Sequence, residues 1–249
     1  CEGAFGMKRA LIVWGGWNGH DPEQVADVFA GILRQEGFEV EISNTLEAFD
    51  DAEKLLGLDL IVPVWTMGEI SQERVDNVSA AVQNGTGLAG CHGGMCDSFR
   101  TNVDWQFMTG GQWVAHPGND GVEYTVEIKG SSSPLVGMIE DFSVSSEQYY
   151  LHVDPAVEVL ATTRFPVAVG PHALNKAVDM PVIWTKRWGV GRVYYNSLGH
   201  QANIVEIPQV KELMRRGLLW AAEGKEIALS MEKNTANTSP VYTGMADNQ

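Results

Sequence analysis

Apolar residues fall along this chain in short, regularly interrupted runs. Ala10-Leu-Ile-Val-Trp14 is unbroken, the pattern of a strand buried on both faces. Gly15-Gly-Trp-Asn-Gly-His20 interrupts it. Val25, Val28, Phe29, Ile32 and Leu33 then recur at helical spacing. They predict a helix from about Pro22 to Glu36, with Asp21 as its cap, Pro22 in its first turn and Gly37 as its stop. Phe38 to Ile42 alternates as a strand. A strand, loop, helix and strand in this order predict a parallel sheet with right-handed crossovers.

The unit repeats. Asp59-Leu-Ile-Val-Pro-Val-Trp65 reads as a second buried strand, with Pro63 pointing to a bulge or an edge. A helix from Ser71 to Gln83 stops at Asn84-Gly85, and Gly87-Leu-Ala-Gly-Cys91 follows as a short apolar strand. Further on, Val122 to Ile128 alternates, and Val157 to Thr163 is another strand. Pro181 to Thr185 and Arg192 to Asn196 flank Trp188-Gly-Val-Gly191 as a hairpin. The segments at 113–118 and 146–154 read as loops. The last helix is expected from about Ile207 to Glu223. Together these predict an α/β domain over residues 7–226 and a polar tail over 227–249. The natural start is expected at Met7, with residues 1–6 a remnant added ahead of it.

The 249 residues suit one large α/β domain. A formal charge of -15 gives no basic footprint for nucleic acid and no attraction to anionic membrane surfaces. No run reaches the roughly 18 apolar residues of a membrane helix. Three cysteines, Cys1, Cys91 and Cys96, form no disulfide framework, so a reducing, cytoplasmic setting is expected.

In parallel sheets, ligands collect beyond the carboxyl ends of strands. His20, His92 and His200 each follow a predicted strand there. The sharpest local signal is Gly87-Leu-Ala-Gly-Cys91-His92-Gly93-Gly94, a small-residue turn between strand and helix. Such an elbow exposes one side chain above the sheet, beside backbone N–H groups able to hold an anion. Cys91 or His92 would occupy it. A second group is Trp113-Val-Ala-His116-Pro117. A third, Glu147-Gln-Tyr149-Tyr-Leu-His152, brings an acid, a phenol and an imidazole together for acid–base work, hydroxyl recognition or metal binding. Taken singly, each group also fits an ordinary polar loop, and Cys91 an inert buried thiol. Aromatic faces suit sugar rings, and Trp14, Trp17, Trp65, Trp105 and Trp113 lie near these loops, although most tryptophans serve the core.

The whole set of motifs resembles the trehalose-utilisation (ThuA-like) family. The matching stretches are Leu11-Ile-Val-Trp14 with the His20 loop, the 87–94 turn, Thr109 to Pro117, Glu147 to Asp154, Val159 to Thr163, and Met180 through Asn196-Ser-Leu-Gly-His200. The resemblance implies a class I glutamine-amidotransferase-like fold, a flavodoxin-like, mostly parallel sheet covered on both faces. It also implies a role with trehalose and related disaccharides, through 3-keto sugars. Relative to true glutaminases, His200 stands where the triad histidine would be, but position 202 holds Ala202 instead of an acid. Without that carboxylate the imidazole lacks its orienting partner, so glutamine hydrolysis is not expected.

The candidate catalytic residues are therefore His92, Glu147, His200 and Cys91. Trp17, His20, Trp65, His116 and Tyr149 are candidates for binding a small-molecule sugar. For a metal, zinc is the candidate ion and His92, His116 and His152 the candidate ligands. Four readings follow: acid–base processing of a disaccharide or its keto form, the same chemistry assisted by zinc, a binding or regulatory module without turnover, and, ranked last, a Cys91 hydrolase. Self-association is left open.

Overall fold

The computed structural model describes residues 6–234. The expected remnant at 1–6 therefore falls almost wholly, and residues 235–249 of the expected tail wholly, outside the described residues. The chain runs β1 (Arg9–Gly16), α1 (Pro22–Gln35), β2 (Glu39–Ser43), α2 (Ala52–Leu56), β3 (Leu60–Thr66), α3 (Gln72–Gln83) and β4 (Gly87–Cys91). It continues through α4 (Gly93–Cys96), α5 (Val103–Thr109), β5 (Gly111–Ala115), β6 (Val122–Ile128), β7 (Phe142–Ser146) and β8 (Tyr150–Val153). It closes with β9 (Glu158–Phe165), β10 (Val178–Trp188), β11 (Gly191–Asn196), α6 (Ala202–Val205) and α7 (Pro208–Asn234).

The main sheet has nine strands in the order β2-β1-β3-β4-β11-β10-β9-β6-β7. From β2 to β11 neighbours are parallel, and from β11 onward they are antiparallel. The expected β10–β11 hairpin is thus the first part of a larger antiparallel extension. Apolar side chains alternate between two cores. On one face Ile12, Val62 and Ala89 pack against α1 and α7 through Phe29, Leu33, Leu213 and Leu218. On the other, Leu11, Ile61 and Leu88 pack with Val75, Val78 and Trp105 from α3 and α5. This is the doubly wound α/β arrangement that the repeated strand–helix pattern predicts.

Local chemistry explains several details. Ser71 caps α3, its hydroxyl accepting from Arg74 N–H. Asp21 does not cap α1 as expected: its backbone is left-handed at φ 48°, and no side-chain cap bond forms. Its carboxylate instead faces Ala202 N–H at 3.4 Å. Pro63 sits in an interior strand, but the register of β3 with β4 ends at Ile61↔Leu88, before the proline. The last helix runs past the expected end at Glu223 to Asn234. Its polar continuation still has partners: Lys225 Nζ donates to Leu56 O at 2.6 Å, and Ala228 is buried.

The stretches 113–118 and 146–154, read as loops from sequence, instead contribute to a separate two-stranded ribbon of β5 and β8. It matters because His116 follows β5 directly, and Glu147 and Tyr149 lie just before β8.

Candidate active site

β1, β4 and β11 are parallel neighbours or near neighbours, so the segments after their carboxyl ends share one edge of the sheet. Those segments deliver His20, His92 and His200. The three rings lie within 4.7–5.3 Å of one another, centroid to centroid. Glu147, one residue beyond β7, reaches in among them, and all four residues are buried. One ligand atom from each of His20, His92, Glu147 and His200 falls within 4.8 Å of the others.

His92 occupies the elbow. Its backbone is at φ 51°, ψ -137°, and α4 begins at the next residue. Gly93 follows because a Cβ there would meet His20 Cε1 at 2.6 Å. His92 Nδ1–H donates to the Ser197 carbonyl at 2.8 Å, which fixes the ring, and Nε2 lies 3.0 Å from Glu147 Oε2. Tyr149 stacks on the same ring at 3.8 Å. On the opposite side, His20 Nδ1 lies 2.7 Å from the Thr66 hydroxyl. His200 Nδ1 is 3.2 Å from Glu147 Oε2, an ion-pair distance without aligned hydrogen-bond geometry. Its Nε2 faces Asp120 Oδ2 at 3.7 Å.

Burial and charge set the protonation tendencies. Burial, reinforced by His92 and His200, lowers His20 to about 3. Burial also lowers His92, against the pull of Glu147. For Glu147, burial alone would raise the carboxyl, but contacts with His200 and His92 outweigh it and hold it well below the usual range. For His200, burial alone would lower the ring, yet Glu147, then Asp120 and Asp21, raise it overall. The centre is an anionic carboxylate wrapped in imidazoles, two biased toward neutrality and one toward charge.

Other candidates fall inside or outside this group. His116 belongs: its Nε2 is 3.5 Å from Glu147 Oε1, and its side chain is 30% exposed. Trp17 stands at the rim, 47% exposed, with its ring 4.8 Å from His20 in an edge contact. Trp65 packs beside Gly15 and Gly68, and no polar partner for its Nε1 is found among the described residues. Tyr149 is a buried wall of the site.

Two expectations are corrected. Cys91 is not poised as a nucleophile: it ends β4 with its side chain in the core, and burial pushes its thiol up to about 12. His152 is not near His92 or His116 as a co-ligand. Alternation along β8 turns Leu151 inward and His152 outward, opposite Gln112, into a groove of about 340 Å³ lined also by Phe107 and Asp154. The carboxylate missing at Ala202 is supplied in space by Glu147 and Asp120, which flank His200 from other segments.

Sequence reasoning did not single out Thr66, Ser197 or Asp120. Thr66 and Ser197 were within reach, since each stands at or just after the carboxyl end of a strand beside β1 or β4. Asp120 carries no such signal; only the path of the 116–121 turn brings it to His200.

This doubly wound domain with a buried histidine–carboxylate centre defines the class of protein. The chain belongs to the trehalose utilisation (ThuA) family, whose profile matches residues 9–221. A ThuA-like protein from Bacteroides uniformis superposes with a TM-score of 0.68 at 18% identity, covering 89% of this chain and 94% of that one. A ThuA-like protein from Parabacteroides merdae gives 0.69 at 18% identity, covering 88% and 91%. A β-galactosidase from Bacillus circulans matches 88% of this chain with 31% of its own, at a TM-score of 0.57 and 13% identity. At these identities the likeness is one of fold. No curated protein gives a significant sequence match. No described helix is long and apolar enough to cross a membrane.

Proposed function

We propose that this chain processes a trehalose-type disaccharide, or its 3-keto derivative, by acid–base chemistry centred on Glu147. The family's link to trehalose utilisation supports the substrate class. The observation that carries the chemistry is that one buried carboxylate is contacted by His92, His200 and His116. A keto sugar has an acidic C–H beside its carbonyl, and loss of that proton opens isomerisation, elimination or cleavage. Glu147, held anionic, is a poor base but a strong electrostatic anchor. His200, biased toward its protonated form, is the acid that polarises the carbonyl. His116, open to solvent at the mouth, takes up the proton. A zinc ion among the imidazoles belongs to the same reading, since it would polarise the carbonyl in His200's place. Trp17 at the rim offers an apolar face to a sugar ring. A reducing, cytoplasmic setting fits free Cys91 and Cys96.

The test is incubation of the purified chain with trehalose and with 3-keto-trehalose, with products followed by mass spectrometry. Consumption of the keto sugar is expected. Calorimetric binding of either sugar without any product would favour a binding module and overturn the enzymatic reading.

A further inference from the structure

The second ring nitrogen decides what a buried histidine can do. In a metal site, each ligating imidazole usually binds the ion through one nitrogen and donates through the other to a carbonyl, carboxylate or hydroxyl. Two of the inner histidines have such a far-side partner, and the third faces a carboxylate at ion-pair distance. His92 Nδ1 is committed to the Ser197 carbonyl at 2.8 Å. His20 Nδ1 is held by the Thr66 hydroxyl at 2.7 Å. His200 Nε2 faces Asp120 at 3.7 Å, and Asp120 is itself oriented by Gly121 N–H on its other oxygen at 2.8 Å.

The inward nitrogens are less well served. His92 Nε2 and His200 Nδ1 both crowd one oxygen, Glu147 Oε2, at 3.0 and 3.2 Å. His200 Nδ1 has no aligned hydrogen-bond partner. A single proton in this gap satisfies one nitrogen; a cation satisfies both and the carboxylate as well. The two imidazole–carboxylate spacings are close to what one shared ion requires, and all four ligand atoms lie within 4.8 Å of one another. Ligands about 2.0–2.1 Å from a tetrahedral ion lie roughly 3.3–3.4 Å apart.

From this geometry we infer that His20, His92, His200 and Glu147 form a binding site for one divalent transition metal ion, oriented by Thr66, Ser197 and Asp120. Three imidazoles and one carboxylate select zinc or its neighbours over magnesium or calcium, which prefer all-oxygen shells. His116 is not a ligand in this set: it meets the opposite carboxylate oxygen, Glu147 Oε1, on the solvent side. The assignment replaces the set His92, His116 and His152. It deepens the sugar-processing reading by giving that site a cofactor, yet it stands on binding alone.

The full chain, treated with chelator and dialysed, is titrated with zinc by calorimetry and with cobalt(II) by visible absorption. One ion per chain is expected, with the intense visible bands of low-coordinate cobalt. Glu147→Gln should abolish binding. Asp120→Asn, on an exposed residue and so safe for folding, should weaken it by about 10- to 100-fold at unchanged stoichiometry. His152→Ala should change nothing. No stoichiometric binding to the folded wild-type chain overturns the inference. So does binding that survives both Glu147→Gln and Asp120→Asn. A chain that holds zinc by these criteria but consumes no sugar keeps the metal site and ends the functional reading; a chelated, metal-free chain that consumes sugar and takes up no ion does the reverse.

Discussion

The carboxylate of Glu147 lies 3.0 Å from His92 Nε2, while Nδ1 of the same ring is pinned 2.8 Å from the Ser197 carbonyl. The imidazole is thus clamped between a backbone acceptor from the end of β11 and a charge carried in after β7. Replacing Glu147 with Gln keeps the shape and removes the charge. Turnover should fall by roughly 10²- to 10³-fold, the usual span for a lost electrostatic stabiliser. Thermal or urea unfolding should register a loss of about 1.5–3 kcal/mol, that of hydrogen bonds to a charged group.

Cys91 and Cys96 should resist alkylation in the folded chain. Both are free and buried, and burial raises both thiols. Mass spectrometry after iodoacetamide treatment at neutral pH should find neither modified until denaturant is added. Cys91→Ala should leave sugar turnover within about twofold, at a stability cost of roughly 1 kcal/mol for the small cavity. Rapid labelling of native Cys91 would revive the nucleophile.

Acid should destabilise the fold through His20. Its folded value of about 3 lies below the ordinary 6.5, so between those limits the unfolded chain binds the extra proton. Stability therefore rises with pH across that window and is lost as pH falls, by up to about 1.4 kcal/mol per unit from this group. Glu147, also depressed, adds to the loss at the acid end, whereas His200, raised, contributes stability below 6.5 that is lost as pH climbs through its folded value. Urea unfolding of wild type and His20→Asn from pH 7 to pH 4 checks the sign. The variant should show the shallower slope.

How far the sequence went can be judged from particular elements. The strand–helix units through β4 were legible because fully buried parallel strands are continuous apolar runs, and their helices carry a clear stripe. The convergence of His20, His92 and His200 followed from topology alone, since residues after parallel strands share an edge. Glu147 was visible as a candidate, but not its central place, because β7 and the 147–149 segment gave no apolar signal. The β5–β8 ribbon was missed for a similar reason: with His116, Glu147 and His152 near it, the stretch reads as polar loop. That error also misplaced His152, whose direction depends on the parity of β8. Polar composition after Lys225 hid the end of α7, whose packing rests on Lys225 and Ala228 rather than on a long apolar stripe.

The packing of α7 on the sheet offers a check independent of function. A Cβ at Gly217 would lie 2.2–2.4 Å from ring atoms of Tyr194, which is fully buried. Gly217→Ala gains about 1 kcal/mol of helix propensity, but overpacking against a fixed ring costs about 1–3 kcal/mol or more. A net loss of up to about 2 kcal/mol in urea unfolding is expected, with the metal stoichiometry unchanged.

The most direct measurement compares kcat/KM of the wild-type chain and Glu147→Gln on 3-keto-trehalose, with circular dichroism showing both folded. The account predicts consumption by the wild type and a loss of at least about 10²-fold in the variant. Equal rates for the two proteins, or no consumption of the sugar by the wild type, would contradict it.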